Sequence, residues 1–368
     1  MPDTTANIVH LTTVHPRNDI RIFLKECVTL KEAGHTVSLI VADGLGDEVR
    51  DGITIHDVGR APDRFRRMLA LPGRARRKVH ALGPDLVHFH DPELLPVAWR
   101  LKRSGFKVIY DAHEDLPRAV LSKSWIRPVL RRTVAWTVEQ IENFVAARID
   151  AVVAATPHIA ERFEKIAPRA VAVSNYPMER ELEAPLARPR EPTAFCYAGA
   201  VTRHRGAVEI VRATADAGGR LLLAGPFERG LESELQALPE WAAVDYRGVV
   251  GRDEVREMMA SASAGLLFFH PEPNHVNAMP NKLFEYLSAG LPVLCSDFPL
   301  WQSIVEAENV GRICDPTDPD AIATRMREII ADPDAARAMG ERGRELVHSR
   351  YSWKPEGQRL VDLYEAVL

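Results

Sequence analysis

Residues 277–293, NAMPNKLFEYLSAGLPV, carry more chemistry than any other segment of the sequence. Pro280 suits the first position of a helix, where its missing N–H is no loss. The amides of Asn281, Lys282 and Leu283 would then stand unsatisfied at a helix N-terminus. Such an end binds phosphate through free N–H groups and the positive end of the dipole. Lys282 adds a formal charge in the same turn. Glu285 lies one turn further in, placed to accept hydrogen bonds from two vicinal hydroxyls of a ribose. An ordinary helix start with a solvated Lys and Glu is the other reading of these residues.

Two further groups stand out. In residues 197–206, YAGAVTRHRG, Gly199 permits close backbone approach, and Arg203 and Arg205 bring basic groups to the end of a strand. Strand ends are where ligands gather in α/β proteins. A solvated basic loop is the alternative. The third group is His88, His90 and His113, with Asp91, Asp111 and Glu114 adjacent. Alternation along a strand puts His88 and His90 on one face, at its C-terminal end. Such a cluster can shape a ligand pocket, hold a zinc or manganese that activates water, or sit in a core with its nitrogens satisfied by backbone.

The elements that must position these residues alternate along the chain. Short β-branched runs at 7–13, 36–42, 53–58, 86–90, 107–111, 151–155 and 171–174 are separated by amphipathic stretches, the pattern of βαβ units and a parallel sheet. Apolar Ile20, Phe23, Leu24, Cys27 and Leu30 recur at helical spacing up to Gly34, a natural C′ residue. Residues 179–193 carry three prolines and no periodicity, which predicts a linker. A second series follows, with strands at 194–198, 220–224, 244–247, 264–269, 292–296 and 310–314. Helices are expected near Gly206, Arg229, Asp253 and Pro280. Asp-Pro pairs at 318–319 and 332–333 resemble DxD metal motifs, but they read as helix caps with Pro in the first turn.

These segments together resemble the retaining GT-B glycosyltransferases of family 4. PNKLFEY and GLPV match the donor-binding motif, and the likeness extends to the 199–206 loop, HDPELLP, YDAHEDLP and YSW. The resemblance implies an α/β fold of GT-B type, two Rossmann-like domains facing each other across a cleft. An acceptor domain is expected at roughly 1–180, a nucleotide-sugar domain at 190–350, and a final helix at 351–368 that crosses back to the first. It implies that Glu285 holds the nucleotide ribose and that Arg205 and Lys282 stabilise the departing diphosphate. Gly199, Arg203, Pro280, Asn281 and Leu283 would complete the donor site. His113 would meet the donor sugar near its reacting carbon, so the catalytic set is His113, Arg205 and Lys282. His15, His88, His90, Asp91 and Glu114 would shape the acceptor pocket. The sequence departs from the family at two places. Asn277 stands where the first glutamate of the Glu-x7-Glu motif is expected, and Ala200 where an arginine is usual.

Composition removes several classes. The 368 residues, 46% hydrophobic and 27% charged, make an ordinary globular chain of about two domains. A formal net charge of −4 argues against nucleic acid as a partner. Four scattered cysteines form neither a zinc ribbon nor a disulfide framework. The N-terminus lacks the pattern of a signal peptide, and no apolar run is long enough to span a bilayer. A cytoplasmic location is therefore expected, and the resemblance implies an enzyme with a nucleotide-diphosphate sugar as co-substrate and no metal or other cofactor. Its acceptor would be a sugar or a lipid-linked saccharide. Residues 64–78 carry seven basic and no acidic side chains among Phe65, Met68, Leu69 and Leu71, and 123–136 repeat the theme. Both faces read either as contacts with an anionic membrane surface or as solvated helix faces. Three rival functions remain on the sequence: a non-catalytic scaffold, motivated by Asn277, a GT-B epimerase or phosphorylase, and a metal hydrolase built on His88, His90 and His113.

Overall fold

A computed structural model describes residues 5–123, 126–178 and 189–368. Most of the expected linker, Trp125 of the second basic segment and the first four residues therefore lie outside the described residues. Contacts divide the chain into two units, Met1–Asn175 with Trp353–Leu368, and Tyr176–Ser352.

The first unit is built on an eight-stranded sheet of β1 (Asn7–Leu11), β2 (Thr36–Val41), β3 (Glu48–Arg50), β4 (Ile53–Asp57), β5 (Leu86–Phe89), β6 (Lys107–Ala112), β7 (Ala151–Ala154) and β8 (Ala170–Ala172). Its order is β3-β4-β2-β1-β5-β6-β7-β8. Only the β3–β4 pair is antiparallel. The chain winds outward from β1 in one direction, then returns to place β5 on its other side. That reversal makes the β1/β5 junction the switch point, the place where doubly wound sheets bind ligands. Val9, Leu11, Val87, Phe89, Val108 and Tyr110 are buried in the core beside it.

The helix expected after Asp19 is present but begins differently. Ile20–Cys27 is π-helical, with Leu24 N–H bonded to Asp19 C=O, before Val28–Glu32 continues as α-helix. Asp19 caps it by accepting from the amides of Arg21 and Ile22. The i→i+5 repeat of a π-helix places Arg21 and Glu26 on one side, and both are buried. Apolar spacing does not distinguish this from an α-helix. The three-residue strand β3 also has no sequence signal, because it is short and polar.

The second unit contains β9 (Ala194–Ala198), β10 (Arg220–Ala224), β11 (Val244–Tyr246), β12 (Ala264–Leu267), β13 (Val293–Ser296) and β14 (Gly311–Cys314). The order β11-β10-β9-β12-β13-β14, all parallel, is the Rossmann arrangement with its switch point between β9 and β12. Apolar clusters cover both faces, one around Phe284, Tyr286 and Trp301, the other around Phe195, Phe268 and Met326. Asp318 and Asp332 cap the helices Pro319–Ala331 and Pro333–Arg350 through their carboxylates. Both are the helix caps expected from the sequence.

Candidate functional site

In the second unit the singled-out residues collect where β9, β10 and β12 end. The strand β9 runs out at Ala198 into Gly199, and β10 into Gly225. These two glycines touch: a Cβ on Gly225 would lie 1.8 Å from the Gly199 carbonyl oxygen, and Gly225 has φ +137°. Side chains are excluded at Gly225, so the two turns pack backbone to backbone beside the switch point. Arg205 follows in a short 3-10 turn, Arg203–Arg205. Its guanidinium lies over the Phe269 ring, 5.3 Å from the centroid. Burial raises the Tyr197 phenol, and Arg205 beside it works in the opposite sense. Arg203 is committed elsewhere, to an exposed ion pair with Glu234.

The helix Asn281–Ser288 begins directly after Pro280, which has extended backbone. Leu283, Phe284, Tyr286 and Leu287 bury its inner face, leaving Lys282 and Glu285 on the partly exposed side. These two form an ion pair across one turn. Asn277 is exposed on the loop leading in. His204, His270 and Glu272 also lie here, with His270 3.3 Å from Glu209 and His204 3.4 Å from Glu272. They were not among the expected residues, since nothing in their spacing sets them apart.

In the first unit His113 extends from the end of β6, with 20% of its side chain exposed. Its Nε2 lies 2.7 Å from Asp111 Oδ2. Asp111 is fully buried and is gripped by Arg21, Nε to Oδ2 at 2.8 Å and Nη2 to Oδ1 at 2.7 Å. Burial alone would raise this carboxyl. The Arg21 charge and the bonds from His113 and His90 outweigh it and hold Asp111 well below the usual carboxylate range. His15 stacks obliquely on His113, with ring centroids 4.9 Å apart. Burial opposes a charged His15, but the bond to Asp19 and the charges of Asp91, Asp19 and Asp111 win and raise its pKa.

The expected acceptor residues divide by burial. His15 and Glu114 are partly exposed. His88, His90 and Asp91 have no more than 1% of their surface exposed, so the fold puts them out of reach of an acceptor. Position at a strand end correctly brought His90 and Asp91 near the switch point, but the segment after β1 closes over them. Asp91 is consumed by that segment, accepting from the Thr12 and Thr13 hydroxyls and from the Thr13 and Val14 amides. His88 points at His10 and Tyr364 instead. His10, Arg21, Glu26 and Tyr364 join this neighbourhood without any local sequence signal.

No cysteine is poised as a nucleophile. All four are reduced, burial raises Cys27 and Cys295 well above the ordinary thiol value, and it pushes Cys196 and Cys314 up to about 12.

Comparison with known proteins gives this arrangement its context. The family described as "Glycosyl transferase 4-like domain" matches residues 21–176, and "Glycosyl transferases group 1" matches residues 178–346. The GDP-mannose-dependent alpha-(1-6)-phosphatidylinositol monomannoside mannosyltransferase of Mycolicibacterium smegmatis is 34% identical over 79 residues, 22% of this chain and 21% of that protein. Sucrose-phosphate synthase from Thermosynechococcus elongatus superposes with a TM-score of 0.81 at 19% identity, over 98% of both chains. HepE of Anabaena, crystallised with UDP-glucose, gives a TM-score of 0.74 at 14% identity over 98% of this chain and 100% of its own. With both halves matched by consecutive family domains, the chain belongs to the family 4 glycosyltransferases of GT-B type, built from two Rossmann-like α/β domains.

Proposed function

We propose that the protein transfers a sugar from a nucleotide diphosphate to a hydroxyl acceptor, with retention of anomeric configuration. The observation that carries this reading is the start of the helix Asn281–Ser288. Its first turn has no side-chain cap, and Lys282 and Glu285 stand on its partly exposed side at a Rossmann switch point, while the Leu283 amide is taken by the Pro280 carbonyl. In this reading the first-turn amides and Lys282 take the diphosphate, and Glu285 exchanges its Lys282 partner for the ribose hydroxyls. Asn277 and His113 meet the sugar. Arg205 faces the charge that grows on the leaving phosphate, and fixed cations of this kind stabilise a transition state without reorganising. The acceptor hydroxyl attacks on the face from which the diphosphate leaves, and the departing phosphate oxygen takes its proton. No protein nucleophile is required, which accords with the raised thiols. The cations are side chains, so turnover is expected to be independent of metal.

The acceptor proposed is a lipid-linked saccharide met at a membrane surface. Among the described residues no helix is long and apolar enough to cross a membrane. The helices Arg64–Leu82 and Pro128–Ala146 nevertheless expose Phe65, Leu69, Val129 and Trp136, each more than 60% accessible, among arginines. Apolar side chains within a basic face suit anionic headgroups. The acceptor of the mycobacterial relative, a phosphatidylinositol mannoside by its name, is of this class.

A thermal-shift panel of UDP, GDP, ADP, CMP and dTDP sugars tests the donor half. A bound donor stabilises the folded state by RT ln(1 + [L]/Kd), about 2.7 kcal/mol at a hundredfold excess over Kd. Stabilisation by one nucleotide class that disappears in Glu285→Gln supports the reading. No response to any of the five rejects it.

A further inference from the structure

Five side chains behind His113 form a continuous file with it. His113 Nε2 lies 2.7 Å from Asp111 Oδ2, and His90 Nδ1 lies 3.0 Å from the same oxygen. His90 Nε2 is 3.0 Å from His10 Nδ1. His10 Nε2 is 3.3 Å from the Tyr364 hydroxyl, which is 2.7 Å from His88 Nδ1. His10, His88, His90, Asp111 and Tyr364 are all buried, and they come from β1, β5, the end of β5, β6 and the last helix, Trp353–Val367.

The direction of every bond follows from proton counting. Asp111 is ionised beside Arg21, so it offers only lone pairs, and any nitrogen facing it must donate. His113 Nε2 and His90 Nδ1 therefore carry hydrogen. Burial holds His90, His10 and His88 toward the neutral form, in which each ring has one N–H. His90 Nε2 is then a lone pair and must receive from His10 Nδ1. His10 Nε2 must receive from the Tyr364 hydroxyl, whose oxygen accepts from His88 Nδ1. The file ends at His88 Nε2, a lone pair with no hydrogen-bond partner. All donors run the same way, toward Asp111.

We propose that this file sets the tautomer of His113, so that its Nδ1 is an unprotonated lone pair, with His10 and Tyr364 as positioning residues that act through His90 and Asp111. His113 then meets a substrate as a hydrogen-bond acceptor, taking a sugar hydroxyl, and does not donate. The last statement rests on the reading of His113 as a sugar contact; the file itself does not. The charged and titratable groups facing the file are Arg21, Glu26 and, near His113, His15, Asp19 and Asp91. Glu26 Oε1 lies 3.1 Å from Arg21 Nε. Its Oε2 lies 3.9 Å from His10 Nδ1 and His88 Nδ1 and 4.0 Å from His90 Nε2, beyond hydrogen-bond range. Burial, with the Asp111 charge, raises Glu26.

A metal ion is the competing occupant. His10, Glu26, His88 and His90 offer atoms within 4.8 Å of one another, as do His90, Asp111 and His113. Chemistry favours the file. The facing imidazole nitrogens are already paired with one another and with Tyr364, and Arg21 already supplies a cation to Asp111.

The test uses full-length protein labelled with 15N-histidine, without any sugar, so it is independent of donor or acceptor identity. Long-range 1H–15N spectra should show His113 as the Nε2–H tautomer and His90 as Nδ1–H. Tyr364→Phe removes the hydroxyl and keeps the ring. It should release the His10 tautomer and move the ring 15N signals of His90 and His113 away from their wild-type positions. His10→Asn keeps a donor nitrogen near the Nδ1 position and should preserve the wild-type signals of His90 and His113. A wild-type His113 carrying its proton on Nδ1 overturns the proposal. So does a Tyr364→Phe spectrum identical to wild type, a His10→Asn protein that behaves like Tyr364→Phe, or stoichiometric zinc or manganese in the purified protein. If neither variant folds, the wild-type spectrum and metal content still decide.

Discussion

Lys282 and Glu285 neutralise each other across a single helical turn. In the proposed reading a nucleotide diphosphate would separate them, giving the cation to phosphate and the carboxylate to ribose. Glu285→Gln should weaken nucleotide binding by about 1–3 kcal/mol, the usual worth of a hydrogen bond to a charged group. Isothermal titration with the nucleotide that stabilises the protein measures this, and unchanged affinity removes Glu285 from the ribose.

Arg205 lies over Phe269, with its charge held close to the ends of β9 and β12. Arg205→Ala should lower kcat more than it raises the donor KM, because leaving-group charge grows only toward the transition state. Steady-state kinetics separate the two effects. Equal losses in kcat and binding would mean that Arg205 holds the ground state alone.

Gly225 has no room for a methyl group, since the added carbon would sit 1.8 Å from the Gly199 carbonyl. Its φ of +137° is also one that other residues rarely adopt. Gly225→Ala should cost more than about 2 kcal/mol of stability, given strain of order 1–3 kcal/mol for the backbone alone. The neighbouring turn would shift and nucleotide binding would fall with it. A denaturation midpoint equal to wild type would show that the two turns are not locked together.

Stability should fall as the solution is acidified below about pH 6.5. His10, His88 and His90 titrate below their unfolded value, burial being the first cause. Below pH 6.5 the unfolded chain binds the protons that the folded one refuses, so unfolding is favoured. Each histidine contributes up to about 1.4 kcal/mol per pH unit. His35 and His275 are lowered as well and act in the same sense. Glu26, Glu142 and Glu356 are raised, so each holds more protons folded than unfolded and stabilises the protein on acidification. His15 is also raised, but its stabilisation is already complete below the unfolded value of about 6.5. The lowered histidines outnumber the raised carboxyls, so the net effect of acidification is a loss. Asp111 enters only near and below its unfolded value, since its folded pKa is depressed. Thermal unfolding at pH 7.0 and 5.5 checks this, and a higher midpoint at 5.5 would contradict neutral buried histidines.

Vesicles of anionic lipid should recruit the protein at low salt through the helices Arg64–Leu82 and Pro128–Ala146. Each Lys or Arg near such a surface contributes about 1 kcal/mol at most, within a Debye length. Binding should therefore fade by about 0.5 M salt. Replacing Arg74, Arg76 and Arg77 by Glu should abolish flotation with the vesicles and leave nucleotide binding intact. Absence of flotation at low salt would point to a soluble acceptor.

The parallel strands were legible because fully buried β-branched runs have few other fates, and the helix Asn281–Ser288 because Pro280 and the residues after it are local. The strand β3 and the π-helical turn were not, since both are made by their neighbours. His88 is the instructive case. Its strand-end position is right, but alternation says only which face it takes, not that His10, Glu26 and Tyr364 fill that face. The Tyr364–His10 contact joins positions 354 residues apart, a separation at which no spacing rule operates. Arg203 shows the opposite limit: its charge was evident, and its commitment to Glu234 was not.

The helix Trp353–Val367 sets an order of events for a chain emerging from the ribosome. It closes onto the first unit, where Glu356 receives the Ser174 amide, Trp353 bonds Thr29, and Tyr364 reaches His10 and His88. The first unit begins synthesis first yet lacks these partners until the second has been made. Domains generally fold as they emerge, so here the earlier one must wait for the helix Trp353–Val367, made after the second unit, to cover its histidines.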